Sequence, residues 1–302
     1  MASPEKTTKV AIDESRMLVL VVEVLIGFGF QGVFQPGFPR LSAAAQHVAF
    51  VAFVLLLFTM GLLLMIPAHH RIVEGGRDSG RFLRFATVTM GCLLLPFAVA
   101  LAMEVFVVSE KVIGAFPAVC LSSIILLAAT GAWFVLPGFR AFRSRSKPPQ
   151  SLAMKNEMPP LKDRINQVLT ECRVVLPGTQ ALLGFQLIAF LTDAFEKLSR
   201  GLQLVHLAAL AWILISAILL MLPAAYHRIG ERGRDSEHLF RLSNRCLMAA
   251  LVALAVGISL DFYVLAERIL NTPLEAAASA GLAFAFFVLA WFVIPIGRRS
   301  RT

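Results

Sequence analysis

Eight apolar stretches of about 20 residues divide this chain, at about 17–34, 47–68, 85–108, 117–137, 174–195, 204–225, 246–265 and 274–296. About 20 apolar residues is what one helix needs to cross a hydrocarbon layer, and each stretch is bounded by charge, proline or glycine. None shows the period-2 alternation of a spanning strand. With 58% of its 302 residues hydrophobic and 16% charged, the chain reads as neither a soluble globule nor a β-barrel. The expected fold class is an all-α membrane protein of eight transmembrane helices.

Basic residues orient the helices. The amino-terminal tail and the connections after the second, fourth, sixth and eighth stretches hold 23 of the 28 Lys and Arg, and the other connections hold 5. Because lysine and arginine accumulate on the cytoplasmic side, both termini are expected in the cytoplasm of a bacterial inner (plasma) membrane, multi-pass. The net charge of +9 therefore belongs to the inner loops, and nucleic acid is not an expected partner. The expected partner is the lipid bilayer with its anionic headgroups, and homo-oligomerisation stays open. Four cysteines, Cys92, Cys120, Cys172 and Cys246, form no CxxC pair and no metal-ligand spacing, so disulfide and zinc readings fall away.

The chain also repeats itself. Leu63 to Ala68 reappear as Leu219 to Ala224, and after a one-residue slip His70, Arg71 and Ile72 match His227, Arg228 and Ile229. Gly76, Arg77, Asp78 and Ser79 match Gly233, Arg234, Asp235 and Ser236, an offset of 157 that extends outward to Glu14 on Glu171 and Glu104 on Asp261. Trp133 and Pro137 meet Trp291 and Pro295 after a further slip. The expectation is a tandem pair of four-helix repeats, 1–143 and 165–302, joined by a proline-rich cytoplasmic linker at 144–164. An even number of crossings per unit sets both repeats the same way up, about a pseudo-twofold along the membrane normal. The first apolar stretch, having a counterpart deep in the chain, reads as a retained helix and not a signal peptide.

Gly178, Thr179 and Gln180, then Ala225, Tyr226, His227 and Arg228, then Trp291, Phe292 and Pro295 carry a resemblance over about 163–298. The second half resembles an uncharacterised bacterial family of four-helix integral membrane proteins, filed as a domain of unknown function, and the whole chain resembles a tandem duplication of it. The first half departs from the pattern, with Glu23 opposite Gln180 and His69 opposite Tyr226. The resemblance implies a fold and no established activity, although some relatives carry a sodium/proton antiporter label.

Ionisable groups within apolar stretches are costly and mark candidate sites. Glu104 and Asp261 occupy equivalent positions in the third helix of each repeat, and carboxyls meeting across the pseudo-twofold would share a proton or bind a cation. Glu23 stands about 9 Å into the first helix, with the neutral Gln180 opposite it in the repeat. Glu104, Asp261, Glu23 and Gln180 thus form the candidate ion path of a proton- or cation-linked transporter. For each carboxyl the structural alternative is a hydrogen-bonded polar contact between helices. The twice-occurring loop motif supplies His70, Arg71, Arg77, His227, Arg228 and Arg234 as candidate contacts to lipid phosphate or other anions. Asp78 with Ser79, and Asp235 with Ser236, are expected to cap the following helices. From these loops comes the alternative function, a non-transporting module that binds anionic lipid or a protein partner. His47 and His206 read as interfacial packing. Without a catalytic triad, dinucleotide loop, Walker ending or metal spacing, no enzyme, cofactor or metal is expected.

Overall fold

The computed structural model describes residues 4–75, 79–135, 160–232 and 234–299, with side chains from residue 18 onward. Its long elements are helices α1 (Pro4–Gly32), α2 (Ala43–Ile72), α3 (Gly80–Ile113), α4 (Ala115–Val135), α5 (Leu161–Ala189), α6 (Arg200–Ile229), α7 (Glu237–Leu270) and α8 (Pro273–Arg299). Among the described residues no strand occurs. Seven of these helices, α2 to α8, are long and apolar enough to cross a membrane. In α1 the apolar part, Leu18–Gly32, is shorter. Such helices suggest a membrane-embedded protein.

The bounds of α5, α6 and α7 are those of α1, α2 and α3 advanced by 157 residues at both ends. A common cause lies in their caps. Ser42, Ser79, Ser199 and Ser236 each accept a bond from the backbone N–H three residues on, satisfying a donor that the first helical turn leaves open. Serine, and not the preceding aspartate, does the capping at α7: Asp235 lies 3.8 Å from His227, while Asp78 lies outside the described residues.

Two sequence expectations shift in register. The slip near the end of each repeat is a turn: Gly114 alone joins α3 to α4, whereas Asn271 and Thr272 join α7 to α8. Both turns need left-handed or otherwise unusual backbone, at Gly114 (φ 84°) and Asn271 (φ 55°), residue types that tolerate it. Thr272 does not cap α8; its hydroxyl donates to Glu275 at 2.8 Å. The slip between Pro67 and Pro223 is absent from the backbone, because α2 and α6 have equal length. The Leu-Leu-Met run is instead rotated by one residue, about 100° around the axis. α5 also begins at Leu161, well before the apolar run, so the last part of the expected linker is helix and 144–159 lies outside the described residues.

The two repeats meet along α1 and α5. Glu23 packs on Gly178, Gly27 under Phe185, and Phe30 shares a cavity wall with Gln186, so the contacts ascend both helices in the same sense and the two run parallel. Further ties cross between repeats: Trp291 Nε1 donates to the Gly61 carbonyl at 2.8 Å, and Arg268 Nε donates to the Val33 carbonyl at 2.7 Å. The repeats are unequal partners. In their most apolar windows, 61% of α2 and 67% of α7 are buried, against 33% of α6 and 28% of α3, so α1, α2, α5 and α7 form the centre.

Close crossing depends on two glycines. A Cβ on Gly178 would overlap the Glu23 carboxyl, and one on Gly61 would overlap the Phe286 ring, while one on Gly32 would meet nothing. Gly178→Ala and Gly61→Ala should each lower stability in detergent by about 1–3 kcal/mol, the usual range for overpacking a core. Gly32→Ala should leave the unfolding midpoint unchanged, and thermal unfolding of the three variants checks this.

Candidate functional site

Three carboxyls are buried along one broad face of α5. They lie beside positions 171, 178 and 186, spaced seven and eight residues apart and so about 10–12 Å along the axis. Each is handled differently.

At the end where α2 finishes, Glu171 projects from α5 with no exposed surface. His70 Nδ1 lies 2.8 Å from one carboxylate oxygen and Arg71 Nε donates to the other. The Gln167 amide bonds the other His70 nitrogen at 3.2 Å. With Gln167 Nε2 as donor, the His70 proton sits on Nδ1, facing Glu171. Phe82 packs on the His70 ring at 4.5 Å, and His69 stacks on Phe85 at 4.0 Å. The guanidinium of Arg71 keeps both terminal nitrogens buried without a hydrogen-bond partner among the described residues. A charged group in such surroundings depends on its counter-charge.

In the middle of the seam Glu23 is fully buried, its oxygens filling the space that glycine leaves at position 178. Neither oxygen has a hydrogen-bond partner among the described residues. Hydrocarbon surrounds a group that hydration would otherwise stabilise.

Toward the other end lies the most connected cluster. Asp261 of α7 accepts from Gln186 Nε2 and lies 2.8 Å from His206 Nδ1. His206 Nε2 lies 3.3 Å from the Gln186 backbone carbonyl, an acceptor only, which favours the tautomer with a proton on Nε2. In that tautomer the Nδ1 to Asp261 contact also contains a proton, on the imidazole or on the carboxyl. Phe30, Phe34, Phe190 and Phe195 surround the imidazole at 4.7–6.4 Å, holding the ring in place. His206 and Gln186 are 0% and 1% exposed.

The candidate residues separate on this scaffold. Glu104 and Asp261 do not meet: Glu104 lies by Gly29 on α1 and Asp261 by Gln186 on α5, equivalent positions of the two repeats. Gln180 is exposed and off the seam. His70 and Arg71 are buried against Glu171, whereas Arg228 and Arg234 are exposed and His227 half-buried beside Asp235; Arg77 lies outside the described residues. Sequence reasoning passed over Glu171, Gln186 and His206 as site residues. Glu171 precedes the apolar run, and the signal for the other two is a difference between repeats: His206 stands opposite Ala49 and Gln186 opposite Gly29.

Loss of one partner is most damaging where the other stays buried. Glu171→Gln strips Arg71 of its counter-charge and should cost about 3–5 kcal/mol of stability. Arg228→Gln, at the equivalent but exposed position, should change the unfolding midpoint of the purified protein little.

A family model described as "Family of unknown function (DUF6328)" matches the chain twice, over residues 7–137 and 160–295. Neither a curated protein nor a solved structure matches it. The two matches together span most of the chain and coincide with the two sets of four helices. The protein belongs to this family of unknown function, and carries its unit in duplicate.

Proposed function

We propose that the protein is an eight-crossing inner-membrane protein, its twin bundles the same way up and both termini cytoplasmic, that moves protons or a small cation along the α1–α5 seam. The observation that carries this reading is the buried hydrogen bond between His206 and Asp261 inside the bundle, on the same face of α5 as Glu23 and Glu171. Proton relays in membranes are built from such buried acid and histidine groups. In this reading Asp261 with His206 is the outer station, Glu23 the middle one, and Glu171 with His70 and Arg71 the cytoplasmic one. Glu104, half-buried beside Gly29, flanks the path and does not form part of the row.

The parallel run of α1 and α5 supports the same-way-up arrangement, since both repeats then place their His-Arg motif at one side of the membrane. The exposed Arg228 and Arg234 favour a second reading, in which that side also docks on anionic lipid.

Reconstituted wild-type protein should carry a proton or cation flux driven by an imposed gradient, and Glu23→Gln and Asp261→Asn should each bring it to the background of protein-free liposomes. Equal flux in all three would refute the path. Reporter fusions at Thr302 should give a cytoplasmic signal.

A further inference from the structure

A cavity of about 10 Å³, measured as the room open to the centre of a water molecule, lies where α1, α2, α5 and α7 converge. Gly27, Phe53, Phe185 and Ile258 line its apolar part, and Gln186 and Asp261 its polar end. That volume is about what one water requires.

The hydrogen-bond inventory says what kind of molecule fits. The Gln186 amide is fixed in orientation, because its Nε2 must face the Asp261 carboxylate. Its Oε1 is left buried with no partner, an acceptor that calls for a donor. Among the described residues no side chain supplies one. The donor has to be one atom in size, and Asp261, whose oxygens each have one bond from Gln186 or His206 and lone pairs to spare, lines the same cavity.

We propose that this cavity is a binding site for a single water molecule, which donates to Gln186 Oε1 and bonds to Asp261. The site rests on the cavity and the amide alone. Its place beside the Asp261–His206 pair on a proton path rests on the proposed function.

Hydroxyl-radical footprinting of the full chain in lipid nanodiscs, with no ion gradient, tests the site. A radical generated at a bound water oxidises the ring next to it. Phe53, 2% exposed at the cavity, should be oxidised about fivefold faster than Phe82, which is 0% exposed in a separate cluster and does not line this cavity. Gln186→Leu, or Ile258→Phe should that variant fail to fold, should bring Phe53 to the rate of Phe82. Equal rates for the two rings in the wild type, or no change in the variants, would overturn the proposal. So would a Phe53 rate that changes when sodium or potassium replaces choline in the buffer, since that marks a cation in place of water. A positive footprint with no flux in liposomes would leave the water site standing and remove the transport reading.

Discussion

A carboxyl side chain fills the volume that any larger residue would need at position 178, and the centre of the bundle is arranged around that contact. Because Glu23 takes the space of a missing Cβ, α1 and α5 approach closely enough for Phe185 to rest on Gly27 one turn further along. Small residues commonly mediate helix contact within hydrocarbon, where no hydrophobic force distinguishes lipid from protein. Here the small residue admits a polar group instead of a second backbone. The crossing therefore serves packing and chemistry with the same atoms, and the polar row on α5 begins and ends within two turns or so of it.

Duplication gave two helices the same starting role, and they now divide the polar work unequally, α1 supplying Glu23 and α5 supplying Glu171 and Gln186. α5 supplies Glu171 to the His70–Arg71 pair, Gly178 to Glu23, and Gln186 to Asp261. At the last two of these positions α1 has Val21 and Gly29. The same divergence appears in burial, since α2 and α7 go to the middle while α6 and α3 move to the rim. An exact twofold would have required each helix to match its equivalent. Once both copies sit on one chain, nothing holds them to that requirement.

Hydropathy is a property of local sequence, and so seven long apolar helices, the repeat offset and the serine caps at 79 and 236 were legible from the chain alone. A carboxylate within an apolar run is equally visible, which is why Glu23, Glu104 and Asp261 stood out. What those carboxylates touch is not local. The pairing of Glu104 with Asp261 assumed that α3 and α7 face each other across the pseudo-twofold, whereas α7 is central and α3 lies at the rim. Glu171 was hidden by helix length: α5 starts thirteen residues before its apolar run, and a glutamate there resembles part of a solvated linker. His206 reads as interfacial from sequence because its four phenylalanine neighbours come from two stretches distant from it along the chain, 30–34 and 190–195.

The grip of His70 and Arg71 on Glu171 has a consequence for the history of this chain. An acid on the second copy is neutralised by bases on the first, so neither copy is self-sufficient in the way a free-standing ancestor had to be. Cutting the gene in two would orphan the acid in one product and the bases in the other. The fusion is in that sense a ratchet: each pairing that forms between copies makes a return to separate, interchangeable subunits harder.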